Sequence, residues 1–250
     1  PNNSIFSGPL NTAFKITYAG GDGNDIAIQR VARAAFDFDG DGKSDVSILR
    51  PSTSTWWYLS SINGAQTPTT WGNSTDVIAP GDFDGDNKTD VAVFRPSNGT
   101  WYIFNSTTLT ATITQFGASS DRPIPNDFDG DGRADIAVFR PSDGVWYEQR
   151  SLGIQFFAQQ FGANGDIPQV FDYDGDGIAD LCVYRPGGGE WHFFQSSNST
   201  YVAFPFGTFG DKPVPADFDG DGRTDVAVFR ATADSNLPDF YILTSGTFNY

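Results

Sequence analysis

The sequence predicts an all-β protein, a β-propeller with five blades of four short strands each. A nine-residue motif of the form D-x-D-G-D-G-x-x-D occurs five times in the 250 residues, and successive copies start 45 residues apart. A run of β-type residues follows each copy, such as Val91–Arg95 after the second. Aromatic residues make up 15% of the chain, and its 28 glycines suit tight turns between strands. Five copies at a constant spacing indicate an array of one structural unit.

The repeated motif places aspartate at positions 1, 3, 5 and 9 of every copy. Carboxylates crowded into one loop repel each other, and a hard divalent cation that takes six to eight oxygen ligands would neutralise them. Position 6 is glycine in four copies and Asn87 in the second, as expected where the backbone needs a positive φ. Position 7 varies in residue type, which indicates that only its backbone carbonyl is used. We therefore expect calcium between the strands, because magnesium prefers fewer protein ligands.

The predicted calcium ligands are the four aspartate side chains and the position 7 carbonyl of each loop. One ion per loop gives about five ions, which would offset much of the formal net charge of −16. Turns rich in aspartate and glycine that bind no metal are the alternative. In chain order the predicted residues are Asp37, Asp39, Asp41, Lys43 and Asp45; Asp82, Asp84, Asp86, Lys88 and Asp90; Asp127, Asp129, Asp131, Arg133 and Asp135; Asp172, Asp174, Asp176, Ile178 and Asp180; and Asp217, Asp219, Asp221, Arg223 and Asp225.

Each repeat contains four strand signals, which are clearest in the third repeat. Ile136–Arg140 follows the motif directly, and Val145–Arg150 follows a turn that contains proline and glycine. A third strand is predicted at residues 155–161, and a short fourth stretch at 168–171 leads into the next motif. Four short antiparallel strands in a unit of this length are typical of a propeller blade.

The two ends of the chain depart from the repeat. We divide the chain into an N-terminal arm with strands, residues 1–35, and a five-repeat propeller, residues 36–250. The last repeat stops before its third strand is complete, and residues 15–20 resemble the third-strand signature at 112–117. The N-terminal strand could therefore complete the fifth blade and close a ring, or it could pair with a neighbouring subunit or with further blades. Residues 20–25 resemble one unit of a calcium-binding β-roll, for which a plain turn is the favoured alternative.

The chain contains no methionine and starts with proline. We therefore expect a processed product or part of a longer protein.

The Phe-Gly pairs, the aspartate loops and the Val-Phe-Arg-Pro runs resemble the FG-GAP/VCBS repeat family, which includes the calcium-loop repeats of integrin α-subunit propellers. The resemblance covers about residues 36–243. It implies a β-propeller whose aspartate loops hold calcium at the edge of each blade. Members of the family serve in adhesion, ligand binding, lectin activity or scaffolding beside a catalytic domain. The resemblance therefore specifies the fold and the metal better than it specifies the function.

Tryptophan recurs at the equivalent position of four repeats, which predicts packing between blades or, alternatively, a set of sugar-stacking platforms. Trp57 and Trp71 depart from this period, and we expect them to be exposed candidates for ligand binding. The recurring residues are Trp56, Trp101, Trp146 and Trp191.

The sequence lacks the residues of common catalytic sites, and we expect a protein that is not an enzyme. The only histidine, His192, and the only cysteine, Cys182, leave no plausible Ser-His-Asp triad or Cys-His pair. We expect His192 to be a surface or packing variant and Cys182 to be a small buried apolar residue. One further aspartate recurs before the fourth strand signal, where turn capping is favoured over catalysis. These aspartates are Asp76, Asp121, Asp166 and Asp211.

Charge and hydropathy limit the partners of the chain. The acidic balance leaves no basic patch for phosphates, which argues against nucleic acid, and no apolar run is long enough for membrane insertion. Weak calcium loops are saturated only near millimolar calcium, so we expect an extracellular or cell-surface location. Candidate sites for N-linked glycans are Asn73, Asn98, Asn105 and Asn198.

We expect an extracellular calcium-binding propeller that serves as a non-catalytic adhesion or self-assembly module of a surface protein or fibre. Its partners would be other copies of itself, surface proteins or glycans. A carbohydrate-binding lectin propeller is one alternative, and it predicts several equivalent sites. An accessory domain of a secreted carbohydrate-active enzyme is the other, and it predicts a catalytic domain upstream of Pro1.

Overall fold

The computed structural model describes residues 35–153, 155–231 and 239–247, together with the backbone of three N-terminal strands. This part of the chain is all-β, with 3-10 helices only at Pro51–Thr53 and Ser245–Thr247. It is a β-propeller with five blades of antiparallel strands, as the sequence predicts. None of its helices has the length and apolar character needed to cross a membrane. The chain divides into two compact units, Pro1–Val138 with Tyr147–Phe157, and Phe139–Trp146 with Ala158–Tyr250.

An N-terminal sheet and the first two blades contain the first ten strands. The N-terminal sheet has the order β1-β2-β3, with β1 (Ser4–Ser7), β2 (Ala13–Gly20) and β3 (Asp25–Arg30). The first blade has the order β4-β5-β6, with β4 (Val46–Arg50), β5 (Thr55–Leu59) and β6 (Gln66–Thr70). The second has the order β7-β8-β9-β10, with β7 (Val77–Ile78), β8 (Val91–Arg95), β9 (Thr100–Phe104) and β10 (Ala111–Gln115).

The remaining three blades contain the other described strands, each in chain order across its sheet. The third blade consists of β11 (Arg122–Pro123), β12 (Ile136–Arg140), β13 (Val145–Arg150) and β14 (Gln155–Gln160). The fourth consists of β15 (Ile167–Phe171), β16 (Asp180–Arg185), β17 (Glu190–Phe194) and β18 (Tyr201–Pro205). The fifth consists of β19 (Lys212–Pro213), β20 (Val226–Phe229) and β21 (Phe240–Leu243). The strands predicted for the third repeat agree with β12 and β13 at both ends.

The short strand that ends one repeat belongs to the blade of the next repeat. In the second blade Ile78 of β7 lies opposite Val93 of β8, and Gly81 bridges to Asp90 across the intervening loop. The prediction that the four strands of one repeat form one blade is therefore wrong by one strand. The aspartate loop turns the chain back tightly, so the strands on its two sides become antiparallel neighbours. Among the described residues the first blade has three strands because none precedes β4 in its sheet, and the fifth has three because none follows β21.

The three N-terminal strands form a sheet of their own. β2 is its central strand and pairs with both β1 and β3. β2 therefore has both backbone edges occupied within this sheet. Completion of the fifth blade by the N-terminal arm stays a prediction. Pairing of this arm with a neighbouring subunit stays a prediction. In the β-roll-like segment, residues 21–24 lie outside the described residues.

Neighbouring blades pack through two different faces. The tryptophan face carries the recurring tryptophan, or its equivalent in β21, and the residue two positions later. The valine face carries the first and third residues of the strand that follows the aspartate loop, or their equivalents in β16. In the first unit, Trp56 of the first blade packs in one cluster with Val91 and Val93 of the second. In the second unit, Trp191 of the fourth blade packs in one cluster with Val226 of the fifth.

The strand registers assign the same two faces to the first, second, fourth and fifth blades, and the 45-residue repeat extends the assignment to the third. The valine faces contain Val46 and Ile48, Val91 and Val93, Ile136 and Val138, Leu181 and Val183, and Val226 and Val228. The tryptophan faces contain Trp56 and Tyr58, Trp101 and Ile103, Trp146 and Glu148, Trp191 and Phe193, and Phe240 and Ile242.

The four recurring tryptophans are buried, with 0–3% of their surface exposed. Each indole N–H donates a hydrogen bond to the backbone carbonyl of the residue 15 positions later, as Trp101 does to Phe116 at 2.9 Å. The predicted packing role is confirmed. The alternative of sugar-stacking platforms is wrong for these four rings, because a ligand could not reach their faces. Cys182 is likewise fully buried, as predicted.

Candidate metal centre

Each of the five aspartate loops brings three carboxylates together. In every group one ligand atom from each residue lies within 4.8 Å of the other two. Positions 1, 3 and 9 converge in four loops, and positions 1, 3 and 5 converge in the second loop. The groups are Asp37, Asp39 and Asp45; Asp82, Asp84 and Asp86; Asp127, Asp129 and Asp135; Asp172, Asp174 and Asp180; and Asp217, Asp219 and Asp225.

The first aspartate of the motif is the centre around which the loop curls. In the fourth loop, one carboxylate oxygen of Asp172 accepts the N–H of Gly175 at 2.6 Å, and the other accepts that of Gly177 at 2.7 Å. Both glycines have a positive φ, of 83° and 84°. Asn87, which replaces the second glycine in the second loop, also has a positive φ, of 68°. The sequence-based explanation of position 6 is thereby confirmed.

The last aspartate of the motif ties the loop to the body of the blade. In the fourth loop, Asp180 Oδ2 accepts the N–H of Tyr173 at 2.8 Å, and Oδ1 accepts the N–H of Ser196 at 2.7 Å. Ser196 lies in the turn between β17 and β18, 16 residues further along the chain. Asp180 is fully buried. This carboxylate therefore holds the start of the loop and the hairpin turn in a fixed relation.

The aspartate at position 5 of the motif accepts hydrogen bonds from groups of its own blade. In the third loop, Asp131 Oδ1 accepts the N–H of Arg133 at 2.8 Å, and Oδ2 accepts the hydroxyl of Ser151 at 2.7 Å. The same serine donates its N–H to Asp135 at 2.6 Å. Sequence reasoning missed these serines, although the first four recur at the 45-residue spacing. The serines whose N–H binds the last aspartate are Ser61, Ser106, Ser151, Ser196 and Ser245.

In the protein without metal, burial raises the pKa of several carboxylates in the aspartate loops. Desolvation raises the pKa of Asp135 and Asp180 to about 7, against the opposing effect of their backbone hydrogen bonds. Desolvation also raises the pKa of Asp90 and Asp172 to about 6. Neighbouring loop carboxylates add to each shift by repulsion. A cation bound among these groups would reverse the balance, because it stabilises the ionised form.

The donor atoms suit a hard cation such as calcium. Every clustered side chain offers carboxylate oxygen, the ligand type that calcium prefers. In the second loop, Asp84 Oδ1 is buried and has no hydrogen-bond partner among the described residues. A buried anionic oxygen without a partner is costly, and a bound ion would satisfy it. The aspartate clusters could therefore hold a metal ion in each blade.

We expect the calcium-free protein to become more stable on mild acidification. An aspartate with a pKa of about 6 to 7 in the folded state keeps a proton that the unfolded chain, with a pKa of about 3.9, has released. The free energy of unfolding therefore falls as the pH rises from about 4 to about 7. In chelator, the melting temperature at pH 5.5 should exceed that at pH 7.5 by roughly 5–10 °C.

The calcium-loaded protein is the control, because protons compete with the metal for the same oxygens. Its melting temperature should stay constant or fall on acidification. A calcium-free protein whose melting temperature falls between pH 7.5 and pH 5.5 would contradict the assignment of raised pKa values to these carboxylates.

Consecutive loops are also joined to each other by the backbone. The N–H of Thr89 in the second loop donates to the carbonyl of Asp37 in the first at 2.6 Å. Ala134 donates to Asp82 at 2.6 Å, and in the second unit Thr224 donates to Asp172 at 2.8 Å. Each of these bonds runs from position 8 of one motif to position 1 of the preceding motif. Ordering of one loop therefore bears directly on the first aspartate of its neighbour.

The additional recurring aspartates cap turns, as the sequence predicts. Asp76 Oδ2 accepts the N–H of Asn73 at 2.9 Å, and the same carboxylate binds the guanidinium of Arg95 through bonds of 2.8 and 2.9 Å. The arginine partner was not anticipated, although it recurs before the turn of each repeat. The equivalent pairs with bidentate geometry are Asp166 with Arg185 and Asp211 with Arg230.

The isolated candidates for ligand binding lie apart from the aspartate clusters. Trp71 is half-buried: its indole donates to the Tyr102 carbonyl at 3.0 Å, and its ring packs on Phe104. It contributes to packing between the first two blades. The prediction that Trp71 is exposed is therefore wrong. Trp57 is also half-buried. Ligand binding by either residue stays a prediction.

The only histidine packs beside a tyrosine. His192 Nδ1 lies 2.8 Å from the hydroxyl of Tyr201, and Nε2 lies 3.7 Å from a carboxylate oxygen of Glu190. Burial, with a contribution from Arg185, lowers the pKa of this imidazole and thereby favours its neutral form. This arrangement agrees with the packing role expected from the sequence.

Comparison with family models and known proteins supports the repeat assignment. The model of the FG-GAP-like repeat matches residues 37–93, 127–183 and 172–228, which together make up more than half of the chain. No curated protein matched the sequence.

Several solved structures have a similar fold. A protein of unknown function from Bacteroides caccae is 11% identical with a TM-score of 0.52, and the match covers 96% of this chain and 89% of that one. A catalytically inactive virginiamycin B lyase from Staphylococcus aureus, in complex with quinupristin, is 10% identical with a TM-score of 0.50, covering 98% and 84%. A lectin from Agrocybe aegerita that recognises non-reducing terminal N-acetylglucosamine is 16% identical with a TM-score of 0.50, covering 92% and 72%. At these identities the likeness shows the fold alone.

Proposed function

Because the chain belongs to the FG-GAP-like repeat family, we propose that it is a non-catalytic, calcium-binding propeller module that serves adhesion or self-assembly outside the cell. The observation that carries this proposal is the convergence of three carboxylates in each of five loops at a constant spacing. The clustered residues of each loop would hold the ion, and the carbonyl of position 7 would add a ligand. Calcium would supply charge neutralisation and order rather than chemistry on a substrate.

The extracellular location is proposed from the metal. Loops of this type need calcium near the millimolar range, which is available outside cells. Two of the four candidate glycosylation sites, Asn98 and Asn198, are exposed, and the other two are half-buried. Other copies of the chain, surface proteins or glycans would be the partners.

A non-catalytic role is supported by how the polar groups are used. The clustered carboxylates are held by backbone N–H groups within the loops. The recurring aspartates outside the loops bind arginine, and His192 is engaged with Tyr201. These side chains have structural partners that fix them in place.

A lectin is the second candidate function. The observation that favours it is an exposed aromatic surface at Tyr201, which is 57% exposed and lies beside His192. Aromatic faces of this kind can stack on sugar rings. An accessory domain of a secreted carbohydrate-active enzyme would use the same surface within a longer protein.

Light scattering with negative-stain microscopy, in calcium and then in chelator, tests the first candidate. We expect assemblies in calcium that dissociate when the metal is removed. A protein that stays monomeric in calcium at all concentrations, and binds a defined sugar on a glycan array, would favour the lectin instead.

A further inference from the structure

Two residues of the second aspartate loop lie against the first loop. They are Lys88 and Thr89, at positions 7 and 8 of the second motif. The stem of Lys88 crosses Gly40 of the first loop so closely that a Cβ atom added to this glycine would lie 2.9 Å from Cε of the lysine. The N–H of Thr89 donates to the carbonyl of Asp37 at 2.6 Å. The second loop therefore holds the first through a side chain and a backbone hydrogen bond.

The same pair of contacts joins the fourth and fifth loops in the second unit. A Cβ atom added to Gly175 of the fourth loop would lie 2.8 Å from Nε of Arg223, which is position 7 of the fifth motif. The N–H of Thr224 donates to the carbonyl of Asp172 at 2.8 Å. The first and second loops lie in one unit and the fourth and fifth loops lie in the other, so each unit contains the arrangement independently.

The residues that are held in this way shape the candidate metal site of the earlier loop. In the first loop, Asp37 Oδ1 accepts the N–H of Gly40 at 2.6 Å, and Oδ2 accepts the N–H of Gly42 at 2.8 Å. Asp37 is also one of the three clustered carboxylates of this loop. Lys88 and Thr89 therefore contact both the aspartate around which the first loop curls and a glycine that binds this aspartate.

We propose that positions 7 and 8 of a motif are positioning residues for the calcium site of the preceding loop, so that neighbouring loops of one unit bind calcium cooperatively. The predicted backbone ligand of the second loop is the carbonyl of Lys88, the residue whose side chain crosses Gly40. An ion in the second loop would thus fix Lys88 and the adjoining Thr89 against the first loop. The coupling is reciprocal, because each ion changes the affinity for the other by the same factor. This inference rests on the proposed function, since it concerns the calcium loops named there.

Emptying the second loop tests the coupling. Asp84→Asn removes one clustered carboxylate and should abolish calcium binding to the second loop. The affinity of the first loop should then fall by about 5-fold or more. Repulsion between two bound ions would have the opposite effect, because an empty second loop would raise that affinity. The amide signals of Gly40 and Gly42 in a calcium titration followed by NMR measure the first loop.

Asp174→Asn is the matched control for this experiment. It makes the same change at position 3 of the fourth motif, which follows the third loop and not the first. The affinity of the first loop should therefore stay as in the wild type. A first loop that keeps its affinity in Asp84→Asn, or that loses it equally in both variants, would overturn the coupling.

Two uncharged replacements of Lys88 test the contact itself. Lys88→Met keeps a long stem over Gly40, whereas Lys88→Ala removes it, and both keep the backbone carbonyl. The first loop should bind calcium about 5-fold more weakly in the alanine variant than in the methionine variant. Lys43 provides the matched pair, because it has the same position in the first motif and its side chain is 73% exposed. Lys43→Ala and Lys43→Met should bind calcium equally in all loops.

The outcomes separate this inference from the proposed function. Equal calcium affinity of the first loop in Lys88→Ala and Lys88→Met would overturn the positioning role of the side chain. If the wild type bound calcium in every loop but each loop titrated independently, the proposed calcium binding would stand and only the coupling would fail. A wild type whose loops bind no calcium would overturn both. Melting temperatures in calcium check that all variants fold.

Discussion

Removal of calcium is expected to lower the melting temperature of this protein by roughly 20–40 °C. A site that is saturated about 100-fold above its dissociation constant stabilises the folded state by about 2.7 kcal/mol. Five such sites amount to about 13 kcal/mol, which is as large as the whole stability of a typical domain. Calorimetric melting in calcium and in chelator measures the effect. The five clusters of three carboxylates are the basis for this expectation.

Magnesium is the control for a general effect of charge. It dehydrates reluctantly and prefers few protein ligands, so refilling the chelated protein with magnesium should restore only a small part of the stability. Equal melting temperatures in calcium and in chelator would contradict a structural role for the metal.

Replacing the last aspartate of a loop should be the most damaging single substitution. Asp180→Ala removes both the acceptor for the N–H of Tyr173 and the acceptor for the N–H of Ser196. Each buried donor left without a partner costs about 1–3 kcal/mol, so the free energy of unfolding should fall by about 3–5 kcal/mol even in chelator. Denaturant unfolding with and without calcium measures this loss, and calorimetric titration should show one calcium ion fewer.

Asp180→Asn separates the two roles of this residue. The amide keeps one oxygen acceptor but removes the charge, so calcium binding to the fourth loop should be lost while the stability in chelator falls less than in the alanine variant. If the Asp180→Ala and Asp180→Asn variants had the same free energy of unfolding in chelator, the two backbone hydrogen bonds would not be what holds the loop.

Local signals in the sequence predict the strands and loops well. The turn before Val145 and the β-branched and aromatic residues after the motif define β12 and β13 at both ends. Alternating aspartates with glycine or Asn87 at position 6 predict loops whose backbone has a positive φ there. These features depend on neighbouring residues alone, which is why a single sequence contains them.

Long-range pairing could be predicted only in part. The sequence around β7 is compatible with either adjacent blade, and its pairing with β8 is decided by the tight return of the aspartate loop. Ser196 reaches Asp180 across a hairpin, so only its recurrence at the 45-residue spacing could have pointed to it. Trp71 breaks the tryptophan period, yet it packs between two blades because its indole finds the Tyr102 carbonyl. In each of these cases the deciding contact comes from another element.

The 45-residue repeat and the folded blade do not cover the same residues, because they are offset by one strand. The strand that ends one repeat, such as β7, completes the sheet built by the next. An excised repeat would therefore carry a last strand that has no sheet to join. It would also lack the first strand of its own sheet, which the preceding repeat supplies. When such a chain is lengthened by whole repeats, each added repeat therefore shares a sheet with the repeat before it and with the repeat after it.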